Sequence, residues 1–248
     1  MLNNLQLRTA EQFRDAAIEK MAAEERLTYP GYPSLRLYMD TFTEDIPEGP
    51  WELNPGEAPE TCDTQRFREM GLAVDKRGRP LHPWLKEMVT NPDIGVLTGR
   101  GFYWQWGPNH TADPIILRHD LVVPHVLLIE RGDTGDRALP GGFIDGSEDP
   151  AVAAAREGLE EALLDVGGFA ARQVYDGPLS DIRATAHAWA HTTAFRFDLP
   201  NDVARGLPTE RYKGGDDAAF AQWIAVDQVD ERLFGSHNLL LKLALEMD

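Results

Sequence analysis

A single cysteine, Cys62, stands in 248 residues. That excludes an intramolecular disulfide and a cysteine-built zinc cage, and it suits a reducing compartment. Positive charge is scarce: 24 Lys and Arg against 41 Asp and Glu give a formal charge of −17. A surface of that sign repels a polyphosphate chain, so a nucleic-acid polymer is not an expected partner. Long hydrophobic runs are missing as well. No stretch approaches the roughly 20 apolar residues that a membrane-spanning helix needs. The N-terminus, MLNNLQLRTAEQFRDAAIEK, has neither a basic start nor an apolar core, and the expectation is a cytoplasmic protein without membrane association. What is present is ordinary for a globular chain, 42% hydrophobic and 26% charged, long enough for one large domain or two small ones.

Thr9 followed by Gln12 resembles a helix-opening capping box, and Phe13, Ala17, Met21 and Ala22 recur at helical spacing as far as about Leu27. From Tyr29 to about Pro92 the composition turns to scattered Pro and Gly, which predicts loops with short strands. The run Leu121 to Glu130 is rich in β-branched residues and ends in a turn-forming RGDTGD, the pattern of a buried strand. Another strand begins at Ala138 to Leu139. Asp149 and Pro150 open a helix as N-cap and first helical residue that runs to about Leu164, where Val166-Gly167-Gly168 would end it. Further strands are predicted at Gln173 to Tyr175, Ala188 to Phe197 and Ala221 to Val226, and a last helix at about Asn238 to Glu246. Strands on either side of one central helix suggest mixed α/β layers around a sheet.

The central helix carries the chemistry. At a rotation of about 100° per residue, Val152, Ala155, Leu159 and Leu163 form one stripe, expected to pack, and Glu157, Glu160 and Glu161 gather roughly opposite. Glu157 precedes Glu160 by three residues and Glu161 by four, so the three carboxylates are expected to meet around one point. They repel one another unless a hard cation such as Mg²⁺ or Mn²⁺ sits among them. Arg156 reaches Glu160 at the i, i+4 spacing and Glu148 across the preceding loop, an orienting role. Gly141 and Gly142 let the backbone approach closely and leave a carbonyl for the metals. A charged helix facing solvent is the plain alternative reading of a glutamate-rich segment.

Gly142, Glu148, Arg156, Glu157, Glu160 and Glu161 together match the Nudix box, in which a Gly is followed at fixed spacing by Glu, then Arg-Glu, then a Glu pair. Two positions depart from the usual box: Gly158 replaces an aliphatic residue, and Leu163 stands where a Gly normally follows. Leu159 is then the nearest apolar anchor for the helix. The resemblance implies an α/β fold, a Nudix α/β/α sandwich with a mixed sheet over 116–248. A smaller, loop-rich N-terminal α+β region, 1–115, precedes it and helps to form the substrate cleft.

The segment Gly99-Arg100-Gly101 through Trp106-Gly107-Pro108-Asn109-His110 to Asp113-Pro114 resembles a signature of the mitochondrial ADP-ribose pyrophosphatase group, which also includes the Nudix-homology domain of an ADP-ribose-gated channel. Asp181-Ile-Arg183-Ala-Thr185 to Trp189, Gly215-Asp216-Asp217-Ala218 and Ser236-His237 are similar to the same group. The resemblance implies metal-dependent hydrolysis of ADP-ribose to AMP and ribose 5-phosphate, with Gly142, Glu157, Glu160 and Glu161 at the metals. Trp106, Asn109, His110, Asp113, Arg183, Thr185, Asp216 and Asp217 are its candidates for lining the cleft. Each has a structural alternative: Trp106 as packing, Asn109 and His110 as braces of their own loop, Arg183 as a surface ion pair, and Asp113, Thr185, Asp216 and Asp217 as turn caps. Trp189, inside a strand pattern, is expected in the core. The general base is Glu157, Glu161 or an acid near Asp216. NADH, dinucleoside polyphosphates and nucleotide sugars are the alternative substrates, and a non-catalytic ADP-ribose sensor is the rival class.

Overall fold

A computed structural model describes residues 39–40, 52–53, 63–85, 96–99, 103, 105–132, 135–179, 181, 184–216, 218–229 and 233–247. The helix expected from Thr9 lies outside these residues. The chain divides into two compact units, Met1–Asn109 with Pro178–Ala190, and His110–Gly177 with His191–Asp248.

In the first unit, β1 (Met39–Asp40), β2 (Glu52–Leu53), helix α1 (Thr64–Glu69) and β3 (Val96–Gly99) follow in order. The sheet order is β1-β3-β2, with β1 antiparallel and β2 parallel to β3. Short strands were expected here; α1 was not. It forms because Asp63 accepts the Arg66 N–H at 3.0 Å, capping an orphan donor of the first turn. Beyond it, Asp75 ties a tight turn by accepting the Arg77 and Arg79 N–H groups at 2.9 Å and the Arg79 Nε at 2.7 Å. Trp189 is fully buried with Leu85, Ala184 and Ala186, as its strand pattern predicts.

The second unit is built on a sheet of order β10-β11-β5-β4-β9-β8, with β6 added to β5 and β7 to β4. Its elements are β4 (Gly107–Arg118), β5 (His125–Arg131), β6 (Arg137–Ala138), β7 (Gly142–Phe143), α2 (Pro150–Ala162), β8 (Ala171–Pro178), β9 (Ala188–Leu199), α3 (Asn201–Ala204), β10 (Tyr212–Lys213), β11 (Ala218–Ala225) and α4 (His237–Leu245). The first three residues of β4 and of β9, and the last of β8, belong to the first unit.

Strand alternation sorts the two faces. Ala112 and Ile116 of β4, Leu127 and Ile129 of β5, and Phe195 and Phe197 of β9 share one core with Ala153, Ala154 and Ala162 of α2. Arg196, between those two phenylalanines, points the other way, and its Nη1 donates to the Ala244 carbonyl of α4 at 2.7 Å. Helices therefore cover both faces, the α/β/α arrangement expected for a mixed sheet with flanking helices.

Two readings are corrected. Leu121 to Val123 are not strand: they form the bend between β4 and β5, with Val122 fully exposed, and the strand begins at His125. The run's β-branched composition misled because three of its apolar residues, Leu121, Val122 and Val123, serve the turn. More consequential is the seating of α2. Of the stripe expected to pack, Val152, Leu159 and Leu163 are 57, 47 and 60% exposed, and Ala155 alone lies against the core. The buried side is Ala153, Ala154, Glu157, Gly158, Glu161 and Ala162. Small residues let the helix backbone lie close to the sheet, whose own Ile116 and Phe195 supply the bulk. Gly158, not Leu159, is the seat: a Cβ there would lie 3.3 Å from Ile116 Cδ1 and 3.4 Å from the Leu164 carbonyl oxygen. The helix ends close to the expected Leu164, because Leu163 takes a left-handed conformation at φ 53° and closes it.

Candidate active site

The site grows from the loop between β7 and α2. Asp149 caps the helix by accepting the Ala151 N–H at 2.9 Å, and Pro150 supplies a preset φ at the first helical position. In the loop, the Glu148 N–H donates to the Asp145 carbonyl at 2.9 Å, which directs the Glu148 carboxylate back toward the helix.

Arg156 collects that carboxylate and two others. Its Nε and Nη2 donate to Glu148 at 3.2 and 3.1 Å. Its Nη1 donates to Glu157 at 2.6 Å and Glu160 at 2.8 Å. A further bond runs from Nη2 to the Phe143 carbonyl at 3.0 Å, fastening β7 to α2. The orienting role read for Arg156 thus extends to five acceptor contacts on four residues. Glu148 is held below the usual carboxylate range by the Arg156 hydrogen bonds, and the guanidinium is more basic still beside its carboxylates.

Glu157 and Glu161 lie on the buried side of α2. Burial raises the Glu157 pKa against the opposing Arg156 hydrogen bond, and Glu160 and Asp216 add to the rise through their charge. Glu161 accepts the Gly141 N–H at 2.9 Å. Burial nonetheless pushes it up to about 7, with Glu157 contributing repulsion. Glycine at 142 leaves room for the Glu157 carboxylate: a Cβ there would stand 2.6 Å from its Oε2 and force it to move.

Three carboxylates were expected to converge on one point. Instead Glu157 and Glu160 meet at Arg156 Nη1 while Glu161 turns to Gly141, because like charges separate toward the nearest donors. Among the described residues, no three His, Cys, Asp or Glu side chains form a ready cation cage. The donor set still fits a hard divalent cation. Glu157 and Glu161 are buried carboxylates whose charge the protein compensates incompletely, and the backbone beside them is kept free of side chains at Gly142.

Asp113, a candidate cleft residue, is buried behind this loop. Its carboxylate lies against Gly141 and accepts the Thr192 hydroxyl. Burial raises Asp113 to about 7, opposed by the Thr192 hydrogen bond and reinforced by Glu157. Asp216 follows Gly214 and Gly215 in a turn at φ 39°, and the Gly215 N–H donates to the Glu161 carbonyl at 2.9 Å. That turn brings Asp216 into the field of Glu157. His110 accepts the Ile144 N–H at its carbonyl, 3.0 Å, and its ring lies 5.0 Å from that of His191. Gly142, Asp113, Arg156, Glu157, Glu160, Glu161 and Asp216 therefore come together in the second unit, with His110 beside the loop.

Trp106, Asn109 and Thr185 belong to the first unit. The Asn109 amide holds its own loop, accepting from the Gln105 N–H at 3.1 Å and donating to the Gln105 and Gly107 carbonyls at 2.9 and 3.2 Å. Thr185 caps a turn: its hydroxyl accepts the His187 and Ala188 N–H groups at 3.1 and 3.0 Å and donates to the Gly99 carbonyl at 2.6 Å. Trp106 is buried near His187. These bonds are the structural alternatives stated for Asn109 and Thr185. Arg183 and Asp217 lie outside the described residues. Sequence reasoning passed over Thr192 and Arg131, whose charge lowers Glu161. Neither sits in a motif; only strand pairing brings them near.

Comparison with known proteins agrees with this geometry. A NUDIX domain model matches residues 112–243, more than half of the chain. The chain belongs to the Nudix family. Nudix hydrolases use divalent metals such as Mg²⁺ or Mn²⁺. A Caenorhabditis elegans protein named as nudix hydrolase 6 is 36% identical over 159 residues, 60% of either chain. The mitochondrial ADP-ribose pyrophosphatase of Rattus norvegicus is 29% identical over 214 residues, 73% of this chain and 58% of that protein. A transient receptor potential cation channel subfamily M member-like 2 of Nematostella vectensis is 27% identical over 228 residues, 79% of this chain and 14% of the channel. The chain thus spans three fifths or less of the length of the curated relatives it matches.

Proposed function

We propose that this Nudix protein is a metal-dependent pyrophosphatase that hydrolyses ADP-ribose to AMP and ribose 5-phosphate. The observation that carries the reading is the Arg156 network: one guanidinium fixes Glu148, Glu157 and Glu160 beside a glycine backbone, leaving acidic oxygens on a buried helix face. Glu157, Glu160, Glu161 and the Gly142 carbonyl would hold the cation. When bound, it would supply neutralisation of the diphosphate charge and acidify the attacking water. Water adds to one phosphorus of the anhydride, the P–O–P bond breaks, and the leaving phosphate takes the bridging oxygen. Glu157, Glu161 or Asp216 accepts the proton of the water. Arg156 keeps the glutamates from turning away during this exchange.

ADP-ribose is favoured among nucleoside diphosphate compounds by the signature from Gly99 to Pro114 and by the similarity to a mitochondrial ADP-ribose pyrophosphatase. Incubation with ADP-ribose, NADH, a dinucleoside polyphosphate and a nucleotide sugar in Mg²⁺ should show fastest turnover of ADP-ribose, with AMP and ribose 5-phosphate as products. Glu160→Gln with Glu161→Gln should abolish that turnover in a folded protein. A sensor, the second reading suggested by the channel relative, would bind ADP-ribose and release no AMP.

A further inference from the structure

We propose that His237 is a positioning residue for the carboxylate site, acting through the backbone of Leu139 to Gly141. This rests on the catalytic reading of Glu161. The imidazole Nδ1 of His237, buried at the start of α4, accepts the Leu139 N–H at 2.9 Å. A ring nitrogen that accepts an N–H carries no proton, so the ring proton resides on Nε2. Two residues further on, the Gly141 N–H donates to Glu161 at 2.9 Å. Pro140 between them has no N–H. The two amides that anchor this stretch are therefore held one by His237 and the other by a glutamate of the site. Only Pro140 separates them, and its fixed φ removes one of the torsions that could absorb a shift of the first amide before it reaches the second.

The same turn grips the strand a second time. The Phe234 N–H donates to the Arg137 carbonyl at 2.8 Å, and the His237 N–H to the Phe234 carbonyl at 3.2 Å. The Phe234 ring meets the imidazole edge-on at 6.0 Å, and the Arg131 guanidinium lies over the Phe234 ring at 4.3 Å from its centroid. Arg131 is also the cation whose charge acts on Glu161. His237 thus joins the C-terminal helix to the glutamate through the backbone of Leu139 to Gly141.

His237→Asn and His237→Gln test this in the full chain. Asparagine offers an oxygen where Nδ1 stands, whereas glutamine places its amide nearer to Nε2. With folding checked by thermal unfolding, His237→Gln should speed hydrogen exchange at both the Leu139 and Gly141 amides at least about tenfold. It should lower kcat for ADP-ribose about tenfold with KM within about twofold. His237→Asn should keep exchange and kcat within about threefold of the parent. Should His237→Gln release Leu139 while Gly141 stays protected, the proposal is overturned. It is overturned equally if His237→Asn holds the Leu139 amide yet loses as much kcat as glutamine. If His237→Gln fails to fold, His237→Asn decides alone: loss of protection at Gly141 with Leu139 held sinks the proposal. Absence of AMP release by the parent would sink the proposed function only, since amide exchange reads the relay without turnover.

Discussion

Both units bury ionisable side chains, but with opposite chemistry. The first holds imidazoles: burial pushes His82 down to about 3, and His187 is lowered by the same cause. The second holds carboxylates, with Asp113 and Glu161 raised to about 7 and Glu157 raised as well. In the first unit the buried rings serve the local backbone, His82 Nδ1 accepting the Trp84 N–H at 3.0 Å and His187 Nδ1 donating to the Pro80 carbonyl at 3.0 Å. Those rings need no charge to do so. In the second, acids crowd one helix face with less opposing charge than they need to ionise freely. Their hydrogen bonds to Gly141 and Thr192 offset that burial only in part, as their raised pKa values record.

Removing the guanidinium that joins three of the acids should break this contrast most severely. Arg156→Ala leaves Glu148, Glu157 and Glu160 without their shared donor and should lower kcat by about 100-fold. Arg156→Lys should recover little, since a point charge cannot replace contacts made through three guanidinium nitrogens. Steady-state kinetics on both variants, with far-ultraviolet circular dichroism as the folding control, checks this.

Acidification should split the two units. A His whose folded pKa lies below its unfolded value of about 6.5 binds a proton more readily when unfolded. The first unit therefore keeps its full stability above that pH and loses about 1.4 kcal/mol per pH unit and per histidine below it. Asp113 and Glu161 carry the opposite sign. Their folded values are raised, so their contribution is complete below the unfolded carboxylate range and is lost as pH rises through about 7. Hydrogen exchange on metal-free protein between pH 7.5 and 5 should show falling protection around Leu81 and unchanged or rising protection around Gly141. His82→Asn, which retains an acceptor for Trp84, should flatten the loss in the first unit alone.

Packing of α2 gives finer tests. Gly158→Leu restores the aliphatic residue usual in the Nudix box, yet it should destabilise the second unit by about 1–3 kcal/mol, because Ile116 and the Leu164 carbonyl fill the space. Urea unfolding monitored in the second unit would show it. Leu163→Gly should act in reverse and more weakly, stabilising by about 1 kcal/mol, since it relieves a left-handed non-glycine residue that is mostly exposed. A downward shift of the urea midpoint would contradict that account.

The box was legible in the sequence because its parts are local: an N-cap, helical spacing and the charge of each side chain. Arg156 reaches Glu160 by helical spacing and Glu148 across one short loop, and the helix, the strands after it and the last helix fall close to where propensity placed them. Which face of α2 enters the core was not legible. The stripe of Val152, Ala155, Leu159 and Leu163 looks buried by periodicity, but the sheet already carries the bulky residues and, of these four, accepts only Ala155 against it. β4 was missed as a strand because its polar Gly-Pro-Asn-His start lacks alternation and its interior is buried on both faces.

By itself, then, the order of residues determined the chemical inventory: acids, one arginine and glycines at helix and loop positions whose geometry is set within a few residues. Tertiary structure decided how each group is used. It turned Glu157 and Glu161 inward, put Asp113 and Thr192 behind Gly141, and brought His237 to Leu139 across 98 positions of chain. Burial and charge coupling depend on what packs against a side chain, and those neighbours come from strands and helices far away in sequence.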